Sequence, residues 1–130
     1  MPAYDAEHFR PPAPVASVTI CTRDRSKTVV DVPMLIDSGA DLTLIPQRCI
    51  QSLGLQDEPI DGFRQGFDGN TTPARAVNIE LHFLQYVFRG LFPVTNDEFG
   101  ILGRNILGRF VLVLNGPALE WREAASNPNQ

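Results

Sequence analysis

The sequence predicts an all-β, barrel-like domain with one or two short helices, and three observations lead there. Short apolar, β-branched runs recur along the chain, and the clearest of them alternates with period two. Gly, Pro and polar clusters separate these runs at short intervals. The length of 130 residues, 43% hydrophobic, suits one domain that can bury a core without metal or disulfide staples.

The elements follow in order. Four of the prolines (Pro2, Pro11, Pro12 and Pro14) fall in residues 1–14, which reads as an extended arm or linker ahead of a domain over 15–122. Val15 to Cys21 alternates and is β-branched, Thr22 to Lys27 is a polar turn, and Thr28 to Ile36 is a second run. Together they predict a hairpin whose second strand enters the core. Leu42 to Ile45 reads as a short strand. Pro46 fits the first position of a two-turn helix and Gly54 its stop. Three glycines punctuate the polar stretch from Gly62 to Gly69. In Ala76 to Phe83, Val77, Ile79, Leu81 and Phe83 alternate against Asn78, Glu80 and His82, a strand with one wet face on which His82 is solvated. Tyr86 to Val94 is a further strand. Ile101-Leu102 is a short one, Arg104 to Arg109 a helical turn or two, and Phe110 to Leu114 strongly β. Gly116-Pro117 turns the chain into a last strand at Leu119 to Trp121, and residues 123–130 form a polar tail.

Composition excludes several classes. The net charge is −4, Lys27 is the single lysine, and the arginines are scattered, so nucleic acid and anionic membranes are poor partners. Cys21 and Cys49 make neither a metal motif nor a disulfide framework and read as core residues. No signal-peptide pattern or membrane-length apolar run is present. The expectation is a cytoplasmic protein or part of a larger soluble precursor.

The segment Leu35-Ile36-Asp37-Ser38-Gly39-Ala40-Asp41 carries the chemistry. An apolar strand runs directly into an acid, a small hydroxyl residue and a glycine. Gly39 lets the backbone turn so that an N–H can approach the carboxylate. An Asx-type turn closing a strand accounts for these residues equally well. A second segment, Gly100-Ile101-Leu102-Gly103-Arg104-Asn105, repeats the design of two apolar residues followed by glycine, here leading into a short helix.

The two segments together resemble the retropepsin-like aspartic proteases. That family has an Asp-Thr/Ser-Gly-Ala motif in its N-terminal half and a paired-apolar-Gly-Arg-Asn/Asp motif near its C-terminus. This chain has Asp37-Ser38-Gly39-Ala40 and Ile101-Leu102-Gly103-Arg104-Asn105, in that order. Asp41-Leu42-Thr43-Leu44-Ile45-Pro46 also looks like the family. The likeness in layout spans about Val15 to Trp121.

The resemblance implies a closed-barrel acid-protease half-domain acting as a symmetric homodimer on extended peptide, with no cofactor and no metal. A chain with one acid motif needs a second copy to supply the other acid, because two close carboxylates share one proton, an effect for which aspartic proteases are the standard example. The implied catalytic residues are Asp37, Ser38 and Gly39. Ala40 and Asp41 would line the substrate, and Gly66, Phe67, Asp68 and Gly69 would form a flap closing over it. Gly103, Arg104 and Asn105 would brace the site, with Arg104 paired to Asp41. The expected activity is bell-shaped in pH and centred on the acid side. Two other readings stay open: a non-catalytic dimerisation or peptide-binding module of the same fold, and a two-carboxylate hydrolase of another class such as a glycosidase.

Overall fold

The computed structural model describes residues 3–65 and 72–125. The elements are β1 (Ala3–Asp5), β2 (Ala13–Cys21), β3 (Thr28–Ile36), β4 (Ile45–Pro46), α1 (Gln47–Ser52), β5 (Glu58–Gln65), β6 (Thr72–Phe83), β7 (Tyr86–Thr95), β8 (Gly100–Leu102), α2 (Arg104–Leu107), β9 (Leu112–Asn115) and β10 (Glu120–Glu123). The mostly-β fold with two short helices is as the sequence predicts.

Two long strands wrap the sheet around the core. Strand β2 pairs with β3 along one edge, and on its other edge first with β1 and then, from Thr19 to Cys21, with β6. Strand β6 pairs with β7 throughout Ala76 to Phe83, and on its opposite edge with β5 and then β2. Alternation along these strands sends Ala16, Val18 and Ile20 of β2 and Val77, Ile79 and Leu81 of β6 inward, where all are buried. Met34, Leu102 and Ile106 fill the same core, each buried side chain contributing about 1.5–3 kcal/mol. Trp121 closes one end: its indole N–H donates to the Val15 carbonyl at 2.9 Å, and its ring lies 6.0 Å from that of Phe83.

Local chemistry fixes the turns. The β2–β3 turn is closed by the Thr22 N–H on the Lys27 carbonyl at 3.0 Å. Within it the Asp24 carboxylate accepts from the Ser26 N–H and from the Thr22 and Ser26 hydroxyls. Those bonds, the Ser26 N–H first, hold its pKa down at about 2. The β6–β7 turn has Leu84 and Gln85 at φ 49° and 68°. Both central residues at positive φ is the hairpin geometry whose twist suits the flanking strands, although neither residue is the usual Asn or Gly.

Several expectations change. Part of the Pro-rich arm is sheet: β1 lies between β2 and β10, and β2 already begins at Ala13. Pro46 is extended (φ −62°, ψ 133°) and caps α1, which starts at Gln47. Strand β5 occupies a stretch the sequence marks only by turn residues. The last two strands lie one or two residues later than expected.

The expected wet face of β6 is not uniformly wet. Glu80 is only 2% exposed, because Cys21 on β2 and Arg89 on β7 stand directly opposite it and Arg25 folds over it. His82 is half-buried beside it, with Nε2 3.1 Å from Glu80 Oε1 rather than free in solvent.

Candidate active site

Strand β3 pairs in parallel with β8, matching Met34 to Gly100, Leu35 to Ile101 and Ile36 to Leu102. That register sets the two sequence motifs side by side. The ladder runs one residue past β3, where the Asp37 N–H donates to the Leu102 carbonyl at 3.1 Å. Asp37 therefore leaves a fully paired strand with its backbone fixed, and its side chain is half-buried at the protein surface.

The chain then turns sharply. The Ala40 N–H donates to the Asp37 carbonyl at 3.2 Å, and the Gly39 N–H to Asp37 Oδ1 at 2.9 Å. A β-carbon on Gly39 would stand 3.1 Å from that oxygen, tighter than comfortable contact. Among the described residues Oδ2 has no hydrogen-bond partner, so one oxygen is anchored and the other is available to hold or take a proton. Ser38 and Gly39 are exposed beside it.

The second motif holds this turn from below. The Arg104 N–H donates to the Ala40 carbonyl at 2.8 Å and the Asn105 N–H to the Asp41 carbonyl at 3.2 Å, so the first turn of α2 caps the acid loop. Gly103 is required by close approach: a β-carbon there would collide with the Leu42 backbone. The Arg104 guanidinium donates to the Ser38 carbonyl at 2.6 Å. The expected ion pair between Arg104 and Asp41 is absent among the described residues, where the guanidinium reaches the Ser38 carbonyl instead.

Thr43 is a member of the site that sequence reasoning missed. Fully buried, it donates its hydroxyl to Asn105 Oδ1 at 2.7 Å and accepts the Gly103 N–H at 3.0 Å. One side chain thus ties the acid loop to both halves of the second motif. The only sequence signal is a hydroxyl residue inside the apolar run Leu42-Thr43-Leu44-Ile45.

Strands β5 and β6 form a hairpin whose last matched pair is Gln65 with Thr72. Gly66, Phe67, Asp68 and Gly69, expected as the flap, lie outside the described residues.

Metal-ligating groups converge elsewhere. Cys21 Sγ, a Glu80 carboxylate oxygen and His82 Nε2 lie within 4.8 Å of one another. Both Glu80 oxygens are already held by guanidinium groups, Arg25 Nε at 2.9 Å and Arg89 Nε at 2.6 Å. Arg89 above all, then His82 and Arg25, keep Glu80 at a pKa of about 2 against the opposing effect of burial. Burial and the neighbouring Glu80 push the Cys21 thiol up, away from the thiolate a metal needs. The cluster is a satisfied ion network that joins three strands.

Comparison with known proteins gives three results. A family model described as aspartyl protease matches residues 17–109. No curated protein matches the chain by sequence. Among solved structures, the chain resembles one described as EIAV protease complexed with the inhibitor HBY-793, with a TM-score of 0.56 and 20% identity over 75% of this chain and 86% of that one. At that identity the likeness establishes the fold, that of a retroviral protease half-domain.

Proposed function

The chain belongs to the aspartyl protease family, and on that premise we propose that it is an aspartic endopeptidase working as a symmetric homodimer. The carrying observation is the cradle around Asp37: one acid motif per chain, with one carboxylate oxygen anchored by the Gly39 N–H and the other without a hydrogen-bond partner among the described residues. A lone carboxylate cannot both activate a water and hold the proton needed opposite it. A twofold partner supplies the second Asp37 from the same surface.

In the proposed reaction a water sits between the two carboxyl groups. The ionised Asp37 takes a proton from it as the oxygen attacks the peptide carbonyl carbon, and the protonated Asp37 donates to the carbonyl oxygen. The proton gained by the first acid then passes to the amide nitrogen as the carbon–nitrogen bond breaks, while a hydroxyl of the tetrahedral diol returns its proton to the second acid as the carbonyl re-forms. One acid must be ionised while the other is protonated, so the rate should be bell-shaped in pH and fall at both extremes. The Ser38 hydroxyl, exposed in the single chain, would hydrogen-bond to the partner loop. Asp41 and Ala40 would meet the backbone of an extended peptide, and residues 66–69 would close over it. Gly103, Arg104 and Asn105 hold the loop through the bonds described above.

The test is cleavage of a denatured protein substrate. Wild type should show specific activity that rises with enzyme concentration through a dimerisation midpoint. Asp37→Asn should cut at least about 10²–10⁴-fold more slowly, and an excess of it should suppress the wild type by forming mixed dimers. Undiminished cleavage by Asp37→Asn would remove Asp37 as the catalytic acid and with it this reading.

A further inference from the structure

Strand β7 is paired on one edge only over most of its length. Strand β6 accompanies it from Pro93 back to Tyr86, whereas on the other edge β4 meets only Val94 and Thr95. From Tyr86 to Leu91 that second edge has no backbone partner among the described residues. It opens into a cavity of about 410 Å³ between β7 and the end of α2.

Three features of this cavity have no use within the chain. Gly90, at its centre, has φ 147°, which favours glycine, and a β-carbon there would meet nothing within 4 Å. A glycine inside a strand commonly marks where another backbone comes close. Val87, Arg89 and Leu91 also line the cavity and alternate onto one face of the strand, with Val87 37% and Leu91 59% exposed. Finally, the lining is positive in a chain of net charge −4: Arg89 and Arg109 both contribute, and none of the residues lining it is acidic. Arg89 gives its Nε to Glu80 at 2.6 Å, and its terminal nitrogens have no partner among the described residues. The Arg109 guanidinium has none there at all. Asn105 adds a further donor. The buried Thr43 hydroxyl accepts the Gly103 N–H and gives its own proton to Asn105 Oδ1, so the amide NH₂ of Asn105 is left over on the cavity wall.

This chemistry selects the occupant. An open backbone edge takes an extended strand, and apolar–cation–apolar side chains at alternate positions match apolar–acid–apolar ones opposite. Two copies of β7 joined through this edge would set arginine toward arginine, and like charges directly opposite are destabilising. The edge therefore discriminates against its own kind and in favour of an acidic strand.

We propose that the free edge of β7 is a docking site for an acidic, extended polypeptide segment. The segment adds as a strand beside Tyr86 to Leu91, with a carboxylate between Arg89 and Arg109 and apolar side chains over Val87 and Leu91. The site is separate from the Asp37 loop and does not depend on the protease reading.

The experiment is fluorescence anisotropy of a dye-labelled peptide with the repeat Val-Thr-Glu-Thr-Val, titrated with the full chain carrying Asp37→Asn so that the peptide stays intact. The Glu peptide should bind at least about tenfold more tightly than its Gln counterpart, as for loss of one charge-assisted bond. Arg109→Glu, at an exposed position, should erase that preference and favour the Lys counterpart, while melting as the parent chain does. Methylating every second amide nitrogen of the peptide should abolish binding in one register and spare it in the other, because only one edge of the added strand pairs. A Glu peptide that fails to bind, binds no better than the Gln peptide, or is unaffected by Arg109→Glu overturns the site. Equal binding by the two methylated peptides overturns strand addition. No readout uses catalysis, so either failure is distinct from a failure of the role proposed for Asp37.

Discussion

Replacing Gly103 by Ala tests whether contact between the two motifs assembles the site. The added β-carbon would lie 2.5 Å from the Leu42 carbonyl carbon and 2.9 Å from the Leu42 nitrogen, and closer still to the carbonyl oxygen. Ordinary carbon contacts lie at roughly 3.5–4.0 Å, so the two segments must separate by about 1 Å. All the atoms struck are backbone, which cannot swing aside as a flexible side chain can. Overpacking of this kind costs roughly 1–3 kcal/mol. The same shift pulls on the Gly103 N–H bond to Thr43 and the Arg104 N–H bond to Ala40, which together locate Asp37. A displacement near 1 Å at a reacting group lowers turnover by about 10²-fold. Urea denaturation read by tryptophan fluorescence measures the first effect and substrate cleavage the second. Gly116→Ala is the control, since a β-carbon there meets nothing within 4 Å. A Gly103→Ala protein matching the control in both midpoint and kcat/KM would refute the reasoning.

Two other outcomes follow from the same structure. Thr43→Val keeps the shape but strands the buried Gly103 N–H, at about 1–3 kcal/mol, and releases the exposed Asn105 side chain from its tie to the acid loop. Its stability and kcat should both fall, while Thr43→Ser restores most of each, and equal behaviour of Val and Ser would dismiss the hydroxyl's role. Glu80, held at about 2 when folded against an ordinary 4.5, stabilises the protein fully above pH 4.5 and loses that contribution as pH falls toward 2. The melting temperature of wild type should therefore decline over that window, whereas Glu80→Gln should be less stable at neutral pH and flatter in acid. An unchanged acid slope in Glu80→Gln would assign the effect to other carboxylates.

How much was legible in the sequence divides along physical lines. Period-two alternation in Val15 to Cys21 and Ala76 to Phe83 depends only on which face meets the core, so those strands could be read directly. Asp37-Ser38-Gly39 and Gly103-Arg104-Asn105 were legible as motifs because close backbone approach demands glycine there. Strand β5 was hidden because its residues alternate poorly and include Pro59 and Gly62. The burial of Glu80 could not be seen, since it comes from Arg25 and Arg89, which only the register of β2, β6 and β7 brings near. The Arg104 bond to the Ser38 carbonyl was equally hidden: a guanidinium's choice between a carboxylate and a carbonyl is decided by the geometry of the turn, not by residue type. Thr43 lacked any pattern of its own, because its two partners lie in the opposite half of the chain.

The parallel pairing of β3 with β8 has a consequence for when the acid becomes competent. Ile36 and Leu102 come from opposite halves of the chain, so the floor beneath Asp37 is half made by the local β2–β3 hairpin and completed only by a long-range pairing. During synthesis the carboxylate emerges from the ribosome long before the strand that will carry it. Under the proposed function a growing chain could not turn on its own extended segments, because the Asp37 loop takes shape only after nearly all of the barrel has been made.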